Sequence, residues 1–384
     1  MLALFSLRRA AKRGYNYSVL TGRPASRARL RARALHAAPI LAFVVGVLAL
    51  GVRGSAAAKL PARLSDHEFW TLVSSLSEPN GSFRSDNLLS NEIRAQFVIP
   101  ELVEIARPGG VYMGVGPEQN FTYIAAVRPS LAFIIDIRRG NLDLHLMYKA
   151  LFELSADRAE FVSRLFSRAR PSDLRSGATP AELFSAFQPV DPSPELYERN
   201  LREIEDHLVV HHSFALSNED LHGLEYVYHA FFTYGPTIQY SSTDGLGAAY
   251  QPTYVDLMLA TDARGRSRGF LSTDEAFAYL KDLETRNLIV PLVGNFAGPK
   301  AIRAVAGYLK QQGATVSAFY LSNVEQYLRL QRSWNTFCAN AATLPVDDTS
   351  IFIRAGHGGR VARGTALTAE LGSMAVEVEG CGPR

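Results

Sequence analysis

The chain has 384 residues, with 40 Lys and Arg against 37 Asp and Glu, nine His, two Cys and 47% hydrophobic content. That much apolar material fills one large core or two ordinary ones, and it excludes a disulfide-built scaffold, a collagen-like chain and a wholly disordered one. The net +3 comes from the first 65 residues, which hold twelve basic and no acidic residues; the rest carries 28 basic against 37 acidic, about −9, so no nucleic acid is expected as a partner of the folded part.

Residues 1–58 read as a leader. An Arg-rich stretch, Arg23 to Arg33, precedes an uncharged run from Ala37 to Val52, then Gly54, Ser55 and Ala56-Ala57-Ala58. Basic region, apolar core and a small-residue Ala-x-Ala site are the parts of a secretory signal. The uncharged run is shorter than the ~20 residues a spanning helix prefers. The expectation is export to a periplasmic location after cleavage near Ala58. Anchoring by residues 37–52, the chain's one expected membrane contact, is the alternative, and an organelle transit peptide is a third. The length of the basic stretch also fits a translation start downstream of residue 20.

From Ser65 the pattern becomes globular. Residues 59–108 read as an N-terminal helical segment, opened by a Ser65-x-x-Glu68 capping box over Phe69, Leu72, Val73 and Leu76 and followed by a polar loop from Glu78 to Asn91. Residues 109–355 read as an α/β domain. Gly109 to Gly116 predicts a strand, Pro117 to Val127 a helix, Leu131 to Ile137 a second strand, and Leu142, Leu146, Ala150 and Leu154 a second helix. Uninterrupted apolar strands alternating with helices imply a mostly parallel sheet covered on both faces. A Pro- and Arg-rich insertion spans about 155–250, its first part read as a cap on one sheet edge, with helices at 194–208 and at 218–232, the latter capped by Asn218. The rhythm then resumes with a strand at Val255–Ala260, a helix capped by Ser272, a strand at 288–293, a helix around Ile302 to Leu309, a strand at Thr315–Leu321, a helix at Val324–Leu330 and a last strand at Ser350–Arg354. Residues 356–384 are Gly/Ala-rich and predict a flexible tail. Two cysteines make no framework: Cys338 reads as a buried thiol and Cys381 as part of a frayed end, with a bridge between them as the alternative.

The chemistry concentrates where Gly114-Val-Gly116 closes a strand and opens a helix, with Asp136 twenty residues after Gly116 at the end of the next strand. Glycines admit a ligand to the backbone, a helix N-terminus favours negative charge, and a carboxylate at that strand end accepts ribose hydroxyls. Gln119 stands at the third position of the dinucleotide G-x-G-x-x-G pattern, which favours a single nucleoside over NAD. A tight strand-to-helix turn without a ligand is the alternative reading of the glycines.

The phrases GGVYMGVGPEQNFTYIAAVRPSLAFIIDIRRGN, FRSDNLLSNE and LVGNFAGPKAIRAVAGYLKQQGATVSAFYLSNVEQYL resemble an uncharacterised bacterial protein family whose core resembles class I S-adenosylmethionine-dependent methyltransferases. The resemblance covers residues 65–355. It implies a Rossmann-like sheet of about seven strands and a site for S-adenosylmethionine, and it names no reaction. By that similarity Gly114 and Gly116 match the glycine loop, with Glu118 at its third small position and Asn120 beside it, and Asp136 matches the ribose-binding acid.

Further polar groups are expected at the carboxyl edge of the sheet. Arg138 and Arg139 suit an anionic group of a substrate, Asp86, Asn87, Asn91 and Glu92 a loop folding over the pocket, and Asn295, Gly298 and Lys300 a loop on the other side. Asp256 and Asp262 would bracket a strand as turn residues. His222, Glu225 and His229 share a helix face near His207, His211 and His212, without a recognised metal signature, and no metal is expected. No Gly-x-Ser-x-Gly elbow, Walker loop or Cys-x-x-Cys is present, so hydrolase, P-loop and thiol-redox chemistry have no support. Two readings stand: a methyltransferase-type enzyme acting on a small molecule, and an exported binding module that kept the fold and lost the cofactor.

Overall fold

The computed structural model describes residues 60–241, 251–356, 360–361, 364–365 and 368–381. The leader, including the 37–52 run and the Ala58 site, lies outside the described residues. Among those described, no helix is long and apolar enough to cross a membrane.

The first described element is helix α1 (Asp66–Leu76), where Ser65 and Glu68 form the expected capping box, and Phe69 and Val73 are buried. Helix α2 (Ile99–Ile105) leads into strand β1 (Val111–Gly114), helix α3 (Gln119–Val127), strand β2 (Leu131–Asp136) and the long helix α4 (Arg139–Leu154). Helices α5 (Arg158–Leu165), α6 (Pro180–Phe187), α7 (Pro194–Asp206) and α8 (Asn218–Tyr234) follow, with a π turn at His207–His211 between the last two. Then come α9 (Tyr254–Leu259), α10 (Asp274–Thr285), β3 (Ile289–Val293), α11 (Ala301–Gln311), β4 (Val316–Ser322), α12 (Val324–Leu330), α13 (Trp334–Ala341) and β5 (Ile351–Gly356). A two-residue ladder, β6 (Arg360–Val361) with β7 (Gly364–Thr365), precedes β8 (Thr368–Ser373) and α14 (Met374–Glu379).

The sheet runs in the order β3-β2-β1-β4-β5-β8. All pairs are parallel except β5 with β8, where Ile351 faces Ser373 in antiparallel register. Every residue of β1, β2 and β3 is buried, which is why their sequences read as continuous apolar runs. The principal sheet thus has six strands among the described residues, not about seven.

Four further expectations are corrected. Val255–Ala260 is helical rather than a strand: Thr253 and Asp256 form a capping box, and Tyr254, Leu257 and Met258 turn to the core at helical spacing. The cap and the i, i+3, i+4 pattern outweigh the apolar run. Second, residues 368–379 are an edge strand and a helix, not a loose tail, and Cys338 on α13 is bonded to Cys381 after α14. Third, the first part of the insertion does not cap a sheet edge. Helix α5 packs on α4, α7 and α8, and α6 packs on α9, and Arg158, Arg164 and Arg170 are used up in ion pairs with Asp274, Glu160, Glu203 and Asp157. Fourth, the caps of α8 and α10 are Ser217 and Thr273, each one residue away from the expected Asn218 and Ser272.

Candidate functional site

The strand order reverses direction at β1. The chain steps outward from β1 through β2 to β3, then returns to place β4 and β5 on the other side. Loops leaving β1 and β4 therefore diverge, opening a crevice at the carboxyl ends of the strands, the place where open α/β sheets bind ligands. A cleft of about 900 Å3, its mouth included, occupies this position. Its floor is Val115, Gly116, Ile135 and Asp136; one wall is Tyr320, Ser322 and the α12 residues Tyr327 and Leu328; the other is Gly294 to Phe296 after β3. Phe83, Asn87, Ser90 and Asn91 roof it together with Tyr240, whose carbonyl accepts the Leu88 N–H at 2.8 Å.

The glycine turn is built with care. Gly116 has φ +76°, a left-handed conformation in which a side chain is strained even though nothing lies near its Cβ position. Gly114 is required for a different reason: a Cβ there would stand 1.9 Å from Asn120 Oδ1. Asn120 is an internal clamp. Its Nδ2 donates to the carbonyls of Val115, Gly116 and Pro117 at 3.0, 3.0 and 2.7 Å, and its Oδ1 accepts from the Tyr112 hydroxyl. His145 on α4 donates from Nε2 to the Gly116 carbonyl at 2.9 Å. Burial pushes this imidazole down to about 4, so it stays neutral.

Glu118 is fully buried and bonds the Ser90 N–H at 3.1 and 3.2 Å. Burial raises it to about 8, so at neutral pH it holds a proton and ties the roof loop to the turn. Glu92, also raised by burial, accepts from Tyr320 and Ser322 at the end of β4. Glu118 and Asn120, expected as cofactor ligands, therefore hold the turn from behind, and Gly114 is packed beneath it; of that set only Gly116 and Asp136 reach the cleft.

Asp136 lies on the floor with 6% of its side chain exposed, accepting the Arg138 N–H at 2.9 Å and facing Arg138 Nε at 3.4 Å. Arg138 turns back under the roof to the Asp86 carbonyl. Arg139 is occupied by a two-pronged ion pair with Asp220 on α8, and Asp86 accepts from Tyr226 at 2.8 Å. None of these three lines the cleft, whereas Asn87, Asn91 and Asn295 do. Gly298 and Lys300 do not. Glu78 accepts from the N–H groups of Asn295, Lys300 and Ala301, capping α11, and Lys300 Nζ reaches the Ser77 carbonyl. Asp256 closes the capping box of α9 by accepting the Thr253 N–H, and Asp262 holds a turn through the N–H groups of Arg264 and Arg266.

Asp136 is the one acidic residue among the described residues of the lining, and no Lys or Arg is present there. The other polar groups are amides and hydroxyls, set among aromatic rings.

A model of a protein family described as a domain of unknown function (DUF7790) matches residues 88–213 and 245–371. The chain belongs to the DUF7790 family. No curated protein matches it. The two DUF7790 blocks contain the cleft's sheet-borne floor and walls, while Phe83, Asn87 and Tyr240 of the roof lie outside them.

Sequence reasoning missed His145 and the aromatic walls. His145 sits on a largely buried helix among other polar residues, where nothing marks it as a turn support, but Tyr327 and Gln331, four apart on α12 and just beyond it, both face the cleft and were legible as one helix face. Of His222, Glu225 and His229 on α8, His229 packs against Tyr197 and Phe232. The imidazoles that do converge are His207 and His212, on Glu153.

Proposed function

We propose that this DUF7790 protein is methyltransferase-like, with a Rossmann-like fold whose cleft binds S-adenosylmethionine or a related nucleoside and presents it to a small substrate. The observation that carries the reading is the floor of the cleft at the β1/β4 reversal, where the Gly116 backbone, two residues past β1, and the Asp136 carboxylate at the end of β2 both line the cleft. The order β3-β2-β1-β4-β5 with an antiparallel edge agrees with doubly wound nucleotide-binding sheets. Asp136 would accept the ribose hydroxyls and the aromatic walls would cover the base. Gln119 at the third position of the G-x-G-x-x-G pattern, where close approach of a pyrophosphate needs a glycine, disfavours NAD. Methyl transfer proceeds by proximity and orientation, which fits a cleft whose one acidic residue is assigned to the ribose.

A second reading, an exported binding module without the cofactor, is favoured by the Cys338–Cys381 bond. Disulfides persist in oxidising compartments, and with the leader this supports a periplasmic or membrane-anchored location, away from the cytosolic supply of S-adenosylmethionine. Thermal unfolding separates the two. At roughly 100 times its Kd a ligand adds about 2.7 kcal/mol, a shift of a couple of degrees for a chain of this size. The enzyme reading expects that shift with S-adenosylmethionine or its demethylated product, none with NAD, and its loss in Asp136→Ala. No shift with either nucleoside contradicts it and leaves the binding module.

A further inference from the structure

We propose that Glu153, His207 and His212 form a binding site for one divalent cation of the Zn2+ class, separate from the cleft. The π turn builds it. On an α-helix, residues five apart point roughly 140° away from each other. Here the His212 N–H donates to the His207 carbonyl at 3.0 Å, the wider i to i+5 turn, and both imidazoles swing onto one side. Their Nε2 atoms meet the same oxygen, Glu153 Oε2 on α4, at 2.5 and 2.6 Å, and the three ligand atoms lie within 4.8 Å of one another.

The surroundings prepare these atoms as ligands. Lys149 takes the other carboxylate oxygen, Oε1, at 2.7 Å and is itself anchored on the Glu284 carbonyl, so Oε2 alone is left to face the imidazoles. Asp66 on α1 accepts from His212 Nδ1 at 2.7 Å and is fixed by Asn287 Nδ2 at 2.9 Å. A carboxylate behind the imidazole sets its tautomer with Nε2 forward, the arrangement found behind metal-bound histidines. Two imidazoles and one carboxylate suit Zn2+ or Co2+ and leave a fourth position for water. That position has a route to solvent: an open groove beside His207 is lined by Glu203, Asp206 and His211, whose acids attract cations. The ion would fasten α1, α4 and the π turn together.

The test uses untagged protein stripped with chelator and titrated with Zn2+ and Co2+ by calorimetry at neutral pH, with the visible absorption of Co2+ as a second readout. The expected result is one ion per chain. His207→Ala, at the partly exposed ligand, removes tight binding while circular dichroism shows the fold intact. Asp66→Asn weakens binding by ~10-fold or more, and His211→Ala leaves it unchanged. Absence of saturable uptake, or equal affinity in the wild type and His207→Ala, overturns the proposal, as does a His211→Ala loss matching that of His207→Ala. The cleft reading is untouched by any of these outcomes.

Discussion

Gly114 and Gly116 carry the same residue type for opposite reasons, and substitution separates them. Gly116→Ala strains a left-handed backbone at a cost of about 1–2 kcal/mol, with no steric clash. Gly114→Ala drives a methyl into Asn120 and dislodges a clamp on three buried carbonyls, each costing about 1–3 kcal/mol when unpaired. Urea unfolding should therefore show Gly114→Ala as the more damaging; the reverse order would refute this account of the turn. Glu118 gives a pH prediction. Its folded value, about 8, lies above its ordinary 4.5, so the native state binds more protons in that interval and the stability tied to this proton is complete below about 4.5 and lost as pH rises through 8. Glu118→Gln keeps an acceptor for the Ser90 N–H. It should match the wild type near pH 4.5 and exceed its melting temperature progressively toward pH 9; a constant difference across that range would show that Glu118 is already ionised. The sequence made Gly116 and Asp136 visible because spacing along two successive strands encodes where they end. It could not show that Glu118 and Asn120 point inward, since both are polar residues in a polar-looking turn and only the packing of Tyr112 and Ser90 fixes their direction.

The elements were legible where one physical signal spoke alone. β1, β2, β3 and β4 declare themselves as unbroken apolar runs, and α1 by its capping box. Val255–Ala260 carried two signals, and the local cap decided for a helix. The tail misled because β8 is an edge strand that, among the described residues, pairs with β5 alone; half-exposed and Gly-containing, it needs little hydrophobicity, and its order depends on long-range pairing that no local pattern reports. The disulfide joins that C-terminal unit to α13 across 43 residues of sequence, so removing it should matter. Cys381→Ser, or a reducing agent, should lower stability by about 2–4 kcal/mol, measured by thermal unfolding. An unchanged transition would show that β8 and α14 dock without it.

For the molecule as a whole, the strand reversal beside β1 sets the location of the cleft, and the roof from residues 82–91 and Tyr240 sets its chemistry. The proposed export rests on the expected leader and the bridge, and the proposed nucleoside site rests on the cleft, two different parts of one chain. Occupancy of the cleft decides between an enzyme and a module that kept its architecture. The most direct measurement is a crystal structure of residues 59–384 grown with millimolar S-adenosylhomocysteine, the demethylated product. The account predicts the product in the cleft, its ribose hydroxyls within hydrogen-bonding distance of Asp136 and its chain passing Gly116. An empty cleft under those conditions, or the product bound away from Asp136, would contradict it.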